Sequence, residues 1–186
     1  MMNATPAATV ARSDNAPWLV ASSVWLVAGF VFPFLTPATM LLSEGFQRYL
    51  VSAAGMEDEM ALRVAFTIFR IPLTALLAIL VALIQCALMR DVRPLVRRWI
   101  LAAAVGGCVA TLIYLPTTLV ALGIWGSTSD DTPRRLLFLS GTGLLACLVS
   151  LLQRRTARAD LVVPGWFVAA NILAAGVGYF SNLELR

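Results

Sequence analysis

Long apolar stretches alternate with short polar gaps along the whole chain. Apolar runs cover residues 17–42, 64–89, 99–125, 136–152 and 162–180. A membrane-spanning helix needs roughly 20 predominantly apolar residues, and the runs approach or exceed that length. The pattern predicts an all-α polytopic membrane helical bundle of about five transmembrane helices, in a single transmembrane domain over residues 17–182. Residues 1–16, rich in Ala and Thr, read as a disordered cytoplasmic tail.

Proline and glycine punctuate the runs. The first run is longer than one span requires, and Pro33 and Pro37 mark where it tilts or breaks. Pro17 suits a first helical turn, with Trp18 at the interface. Residues 43–63 read as an extracytoplasmic loop containing a short interfacial helix from Glu44. Gly55 ends that helix, and Asp58 is placed to cap the next one. Before the last run, Pro164 and Gly165 set Leu161–Val163 apart as a separate approach to the membrane.

Charge then orients the spans. The gap at 90–98 carries four Arg and one Asp, and the gap after Gln153 is also basic. The gaps at 43–63 and 126–135 are acidic and neutral. Basic gaps stay cytoplasmic, which predicts a cytoplasmic N-terminus and an extracytoplasmic C-terminus in a bacterial inner membrane. Composition agrees: 60% of residues are hydrophobic and 13% charged, against about 25% charged in soluble domains. Mean hydropathy is +0.84. The basic residues are all Arg, in short gaps between apolar runs, so they point to the membrane interface and not to nucleic acid.

The chain lacks Lys and His, which removes a lysine nucleophile or Schiff base, the usual proton shuttle and the common haem ligand. Cys86, Cys108 and Cys147 lie far apart without ligand spacing and read as small buried hydrophobes. No catalytic, metal or cofactor site is expected. The acids Glu57, Asp58, Glu59, Asp130 and Asp131 fall in two outer loops, a weak pattern for a divalent cation and an ordinary one for solvated loops.

Three segments align: WLVASSVWLVAG from Trp18, WILAAAVGGCVA from Trp99 and WFVAANILAAGV from Trp166. Gln85 precedes Trp99 by 14 residues and Gln153 precedes Trp166 by 13. The unit is a helical hairpin, opened by Trp and closed by Gln and a basic gap; two are complete and a third is half present. Trp favours the interface in any case, so convergence is the competing account. The arrangement resembles a loose group of bacterial multi-pass membrane proteins, themselves uncharacterised, built from tandem Trp/Gln-marked hairpins. It covers Trp18 to Gly178, although span two lacks the Gly-rich stretch several of them have. It implies a fold and no activity.

One charge sits inside an apolar run. Arg70 lies near the outer end of span two, where snorkelling lowers the cost of about 2.5–3.5 kcal/mol assigned to a midplane Arg. Alternatively it faces the bundle and meets Glu57, Asp58 or Glu59, or an anionic ligand. Pro33, Pro37, Pro72 and Pro116 share the outer leaflet, and Thr36, Thr39, Thr74, Thr117 and Thr118 are placed to satisfy carbonyls they free. A bundle splayed there would leave an outer cavity beside Arg70. In the other half, small residues permit close packing, and Gln85, Gln153 and Asn171 are candidates for interhelical hydrogen bonds. Two roles follow as expectations. One is a scaffold or accessory subunit of a membrane complex, with lipids and a protein as partners. The other is a small transporter, or a binder of lipid or anionic solute, centred on Arg70.

Overall fold

The computed structural model describes residues 15–125, 132–157 and 161–184. Six α-helices make up these segments: α1 (Ala16–Val31), α2 (Leu35–Ala54), α3 (Asp58–Leu88), α4 (Val96–Trp125), α5 (Thr132–Ala157) and α6 (Phe167–Glu184). Short 3-10 turns at Phe32–Phe34 and Arg90–Leu95 link α1 to α2 and α3 to α4. By length and composition, four stretches suit membrane crossing: Ala16–Ala54, Asp58–Leu88, Arg90–Pro116 and Arg135–Ala157. Phe167–Asn182 is a shorter apolar helix. The chain is thus an all-α, multi-pass membrane bundle. Residues 1–14 of the predicted tail and 126–131 of the gap at 126–135 lie outside the described residues, while Asn15 and Ala16, also expected in the tail, cap and open α1.

The prolines of the first run bend it without ending it. Pro33 sits at the start of the 3-10 turn, and Pro37 falls in the first turn of α2. At those positions a backbone N–H has no intrahelical partner to lose. Residues 43–54 therefore continue α2, where a loop with a separate short helix was expected. Gly55 does close the helix, with φ of +63° and the Met56 N–H reaching Leu50 O at 3.2 Å. The cap of α3 is shifted by one residue from the expected one. Glu57 holds the N-cap position without a side-chain bond, and Asp58 enters the first turn, where its charge complements the helix dipole. Asp58 Oδ1 instead accepts a hydrogen bond from Gln47 Nε2 of α2 at 2.9 Å. Leu161–Val163 precede α6 as a non-helical approach, with turn residues at 165–166.

The helices close into a ring in chain order. α3 packs on both α1 and α2, α4 lies between α3 and α5, α6 packs on α5, and the seam between α1 and α6 completes the circuit. Missing side chains set the seam. A Cβ added to Gly178 would lie 1.9 Å from Leu26 O, and one on Gly29 would lie 2.0 Å from Ala175 O. The two backbones therefore touch, as small residues allow between membrane helices. Asn182 Nδ2 locks the seam by donating to Phe30 O at 2.9 Å.

At the arginine-rich end, Trp18, Trp99 and Phe167 form an aromatic cluster, with ring centroids 5.1–6.5 Å apart. The repeat alignment had placed Trp166 with Trp18 and Trp99. In the structure the third ring is Phe167, because α6 begins only there and Trp166 remains in the preceding turn, half-buried.

Candidate functional site around Arg70

Arg70 projects from α3 into the bundle and is only 3% exposed. Pro72 lies two residues on, inside an unbroken helix. Two elements reach the guanidinium, and a third packs behind them. Phe32, in the turn joining α1 to α2, presents its ring with the centroid 4.9 Å from Arg70 Cζ. This is within cation–π range, where a desolvated pair contributes about 2 kcal/mol. Thr36 of α2 accepts from Arg70 Nη1 through Oγ1 at 3.3 Å. Thr74 donates its hydroxyl to Arg70 O at 3.0 Å. Tyr114 of α4 meets Phe32 edge-on, with centroids 6.3 Å apart.

A small hollow of about 10 Å³ remains beside Arg70, bounded by Phe32, Thr74, Thr111, Tyr114 and Leu145. That is the space of roughly one water molecule. Among the described residues, the space beside Arg70 is this small hollow and not the wide outer cavity expected from the prolines. Pro33 and Pro37 lie in first turns, Pro72 leaves α3 continuous, and the rings of Phe32 and Tyr114 border the hollow.

The acids proposed as partners go elsewhere. Glu59 pairs with Arg63 one turn along α3, and Asp58 accepts from Gln47. Glu57 is exposed at the helix start. Among the described residues, the carboxylate ion pairs are Glu44–Arg48 and Glu59–Arg63, so neither involves Arg70. Thr117 and Thr118 lie on α4, but their side chains fall outside the described set. Phe32, Thr111 and Tyr114 were missed in the sequence. Nothing local distinguishes them from other apolar or back-bonding residues of a span.

A second polar constellation lies at the arginine-rich end. Gln85 of α3 is fully buried and acts as a hub. Its Oε1 accepts from Trp99 Nε1 of α4 and from Gln153 Nε2 of α5, each at 3.1 Å. Its Nε2 donates to Ala21 O of α1 at 3.2 Å. Four helices thus meet at one amide. Asn171 of α6 donates to Ser150 Oγ of α5 at 2.7 Å, and the Ser150 hydroxyl donates to Ala146 O at 2.6 Å. Gln153 Oε1 and Asn171 Oδ1 are buried without a hydrogen-bond partner. For Gln153 the sequence suggests a cause. Trp99 supplies an N–H to Gln85, whereas Phe167, the third ring of the cluster, has none to offer Gln153.

The same end carries an open groove of about 860 Å³ along α5, floored by Leu148, Leu151 and Leu152 and rimmed by Arg154 and Arg155. No group of three or more His, Cys, Asp or Glu is gathered for a metal among the described residues. No known protein family matches the chain, and neither do curated proteins or solved structures.

Proposed function

We propose that the protein is a non-enzymatic scaffold or accessory subunit of a larger membrane complex. In this reading it sits in a bacterial inner membrane with its arginine-rich end in the cytoplasm and α2 on the opposite side. One observation carries the proposal. α2 packs mainly on α3 and buries only Thr39 and Ser43, while Met40, Leu41, Leu42 and Tyr49 are exposed. Leu41 is 77% exposed. The interior of the ring, by contrast, is tied together by close backbone contacts and the amide hub. A stiff ring with an apolar outer helix is the geometry of a body that docks others. Exposed leucines on a membrane helix meet lipid by default, and what sets α2 apart is that it buries only two polar residues and packs mainly on one neighbour, which leaves most of its surface open to a partner.

Photo-crosslinking in the native membrane tests the reading. A photoreactive residue at Leu41 should give one discrete protein adduct of fixed stoichiometry. The same probe at Leu173, exposed on α6, should give lipid adducts only. Lipid-only labelling at both positions would remove the scaffold reading.

A further inference from the structure

The guanidinium of Arg70 is a buried cation without a carboxylate partner among the described residues. We propose that the hollow beside it is a binding site for a single halide ion, fluoride or chloride. The argument starts from charge. An ionised group removed from water is stable only when it is paired or richly hydrogen-bonded. Arg cannot escape by losing its proton, because its affinity for it is too high. Phe32 stabilises one face of the guanidinium plane, and Thr36 takes one in-plane N–H. A guanidinium has five such donors, all in its plane. A neutral hydroxyl and a ring quadrupole lower the cost of burial but leave the net charge in place.

Size and access narrow the counter-ion. Arg70 is 3% exposed, so a lipid phosphate or a carboxylate on another protein does not reach it. The hollow holds about one water-sized sphere, which suits a halide at the small end of the series and excludes sulfate, phosphate and iodide. Further donors are at hand. Thr74 and Thr111 border the hollow, and their hydroxyls donate to Arg70 O at 3.0 Å and Gly107 O at 2.9 Å. Each turns toward an anion by rotation about one torsion. The site therefore combines a fixed positive charge, rotatable donors and a low-dielectric wall from Phe32 and Leu145. This inference is independent of the scaffold role, since it concerns the interior of the ring and not α2.

The test uses the full-length protein in detergent, at constant ionic strength, with gluconate replaced by fluoride, chloride or iodide. Fluoride or chloride should raise the melting temperature saturably, by roughly 5–10 °C at about a hundredfold excess over Kd. Iodide should not. Arg70→Met should abolish the response while the protein still melts cooperatively. If that variant does not fold, crystals of the wild type grown in chloride decide the matter by long-wavelength anomalous density. A chloride peak within hydrogen-bonding distance of Arg70 supports the site. Equal stabilisation by every salt, or a chloride map empty at Arg70 together with no saturable response to fluoride, overturns the proposal.

Discussion

Replacing Gln85 by leucine removes three hydrogen bonds at once while conserving most of the volume. Trp99 loses its acceptor, Gln153 loses its acceptor, and Ala21 O loses its donor. Interhelical hydrogen bonds in membranes average about 0.6 kcal/mol and reach about 1.7, close to the 0.5–1.5 typical of soluble proteins. Three of them set a cost of about 2–4 kcal/mol, because the orphaned Trp99 N–H and Gln153 amide stay buried. Gln153→Leu is the internal control. It removes one bond, and its Oε1 has no partner to lose, so the cost should be about 1 kcal/mol or less. Equilibrium unfolding in mixed micelles, followed by tryptophan fluorescence, measures both. The ratio matters more than either value. If Gln85→Leu and Gln153→Leu cost the same, or if the double mutant is additive, the hub does not exist as described. A coupling equal to the single shared bond is the expected result.

Two further perturbations address the seam and the orientation. Gly178→Ala places a methyl group where Leu26 O already lies, so it should destabilise by about 1–3 kcal/mol in the same assay. Gly45→Ala on α2 meets nothing within 4 Å and should instead stabilise by about 0.5–1 kcal/mol; the reverse order would show that α1 and α6 are not in backbone contact. For orientation, a cysteine at exposed Ser181 should react with a membrane-impermeant maleimide in intact cells. One at exposed Arg93 should react only after the membrane is opened, and the opposite pattern would invert the assigned topology.

The helical spans were legible because the requirement they meet is local. Any segment crossing hydrocarbon must satisfy its own backbone hydrogen bonds, so apolar length alone marks a helix. The polar partners of those helices were less legible. Gln85 and Trp99 were noticed through their 14-residue spacing, yet that spacing says nothing of the hydrogen bond between them. Trp166 and Phe167 are adjacent aromatics, and only the position of the turn before α6 decides which joins the cluster. Arg70 was conspicuous as a charge, but Thr36, Phe32 and Tyr114 gather around it from other helices, 34 to 44 residues away in the chain. The nearby acids were the natural guess from sequence distance. They remain in the exposed first turn of α3, one of them satisfied by a cation four residues on, where the cost of burying either charge does not arise.

The seam between α1 and α6 also dictates an order of assembly. Its Asn182–Phe30 bond joins positions 152 residues apart, so all six described helices must be made before the ring can shut. Until then the nascent chain is an open arc, with the glycine notch of α1 facing lipid. Contacts this distant in sequence are slow to form, and partly assembled intermediates are the species most prone to misassociate. The empty notch fits any copy of α6, including that of a neighbouring chain. Exchange of α6 between two arcs would build swapped dimers with every native contact intact. The contact that seals the monomer is thus also the one through which chains, crowded at the site of insertion, can be cross-threaded.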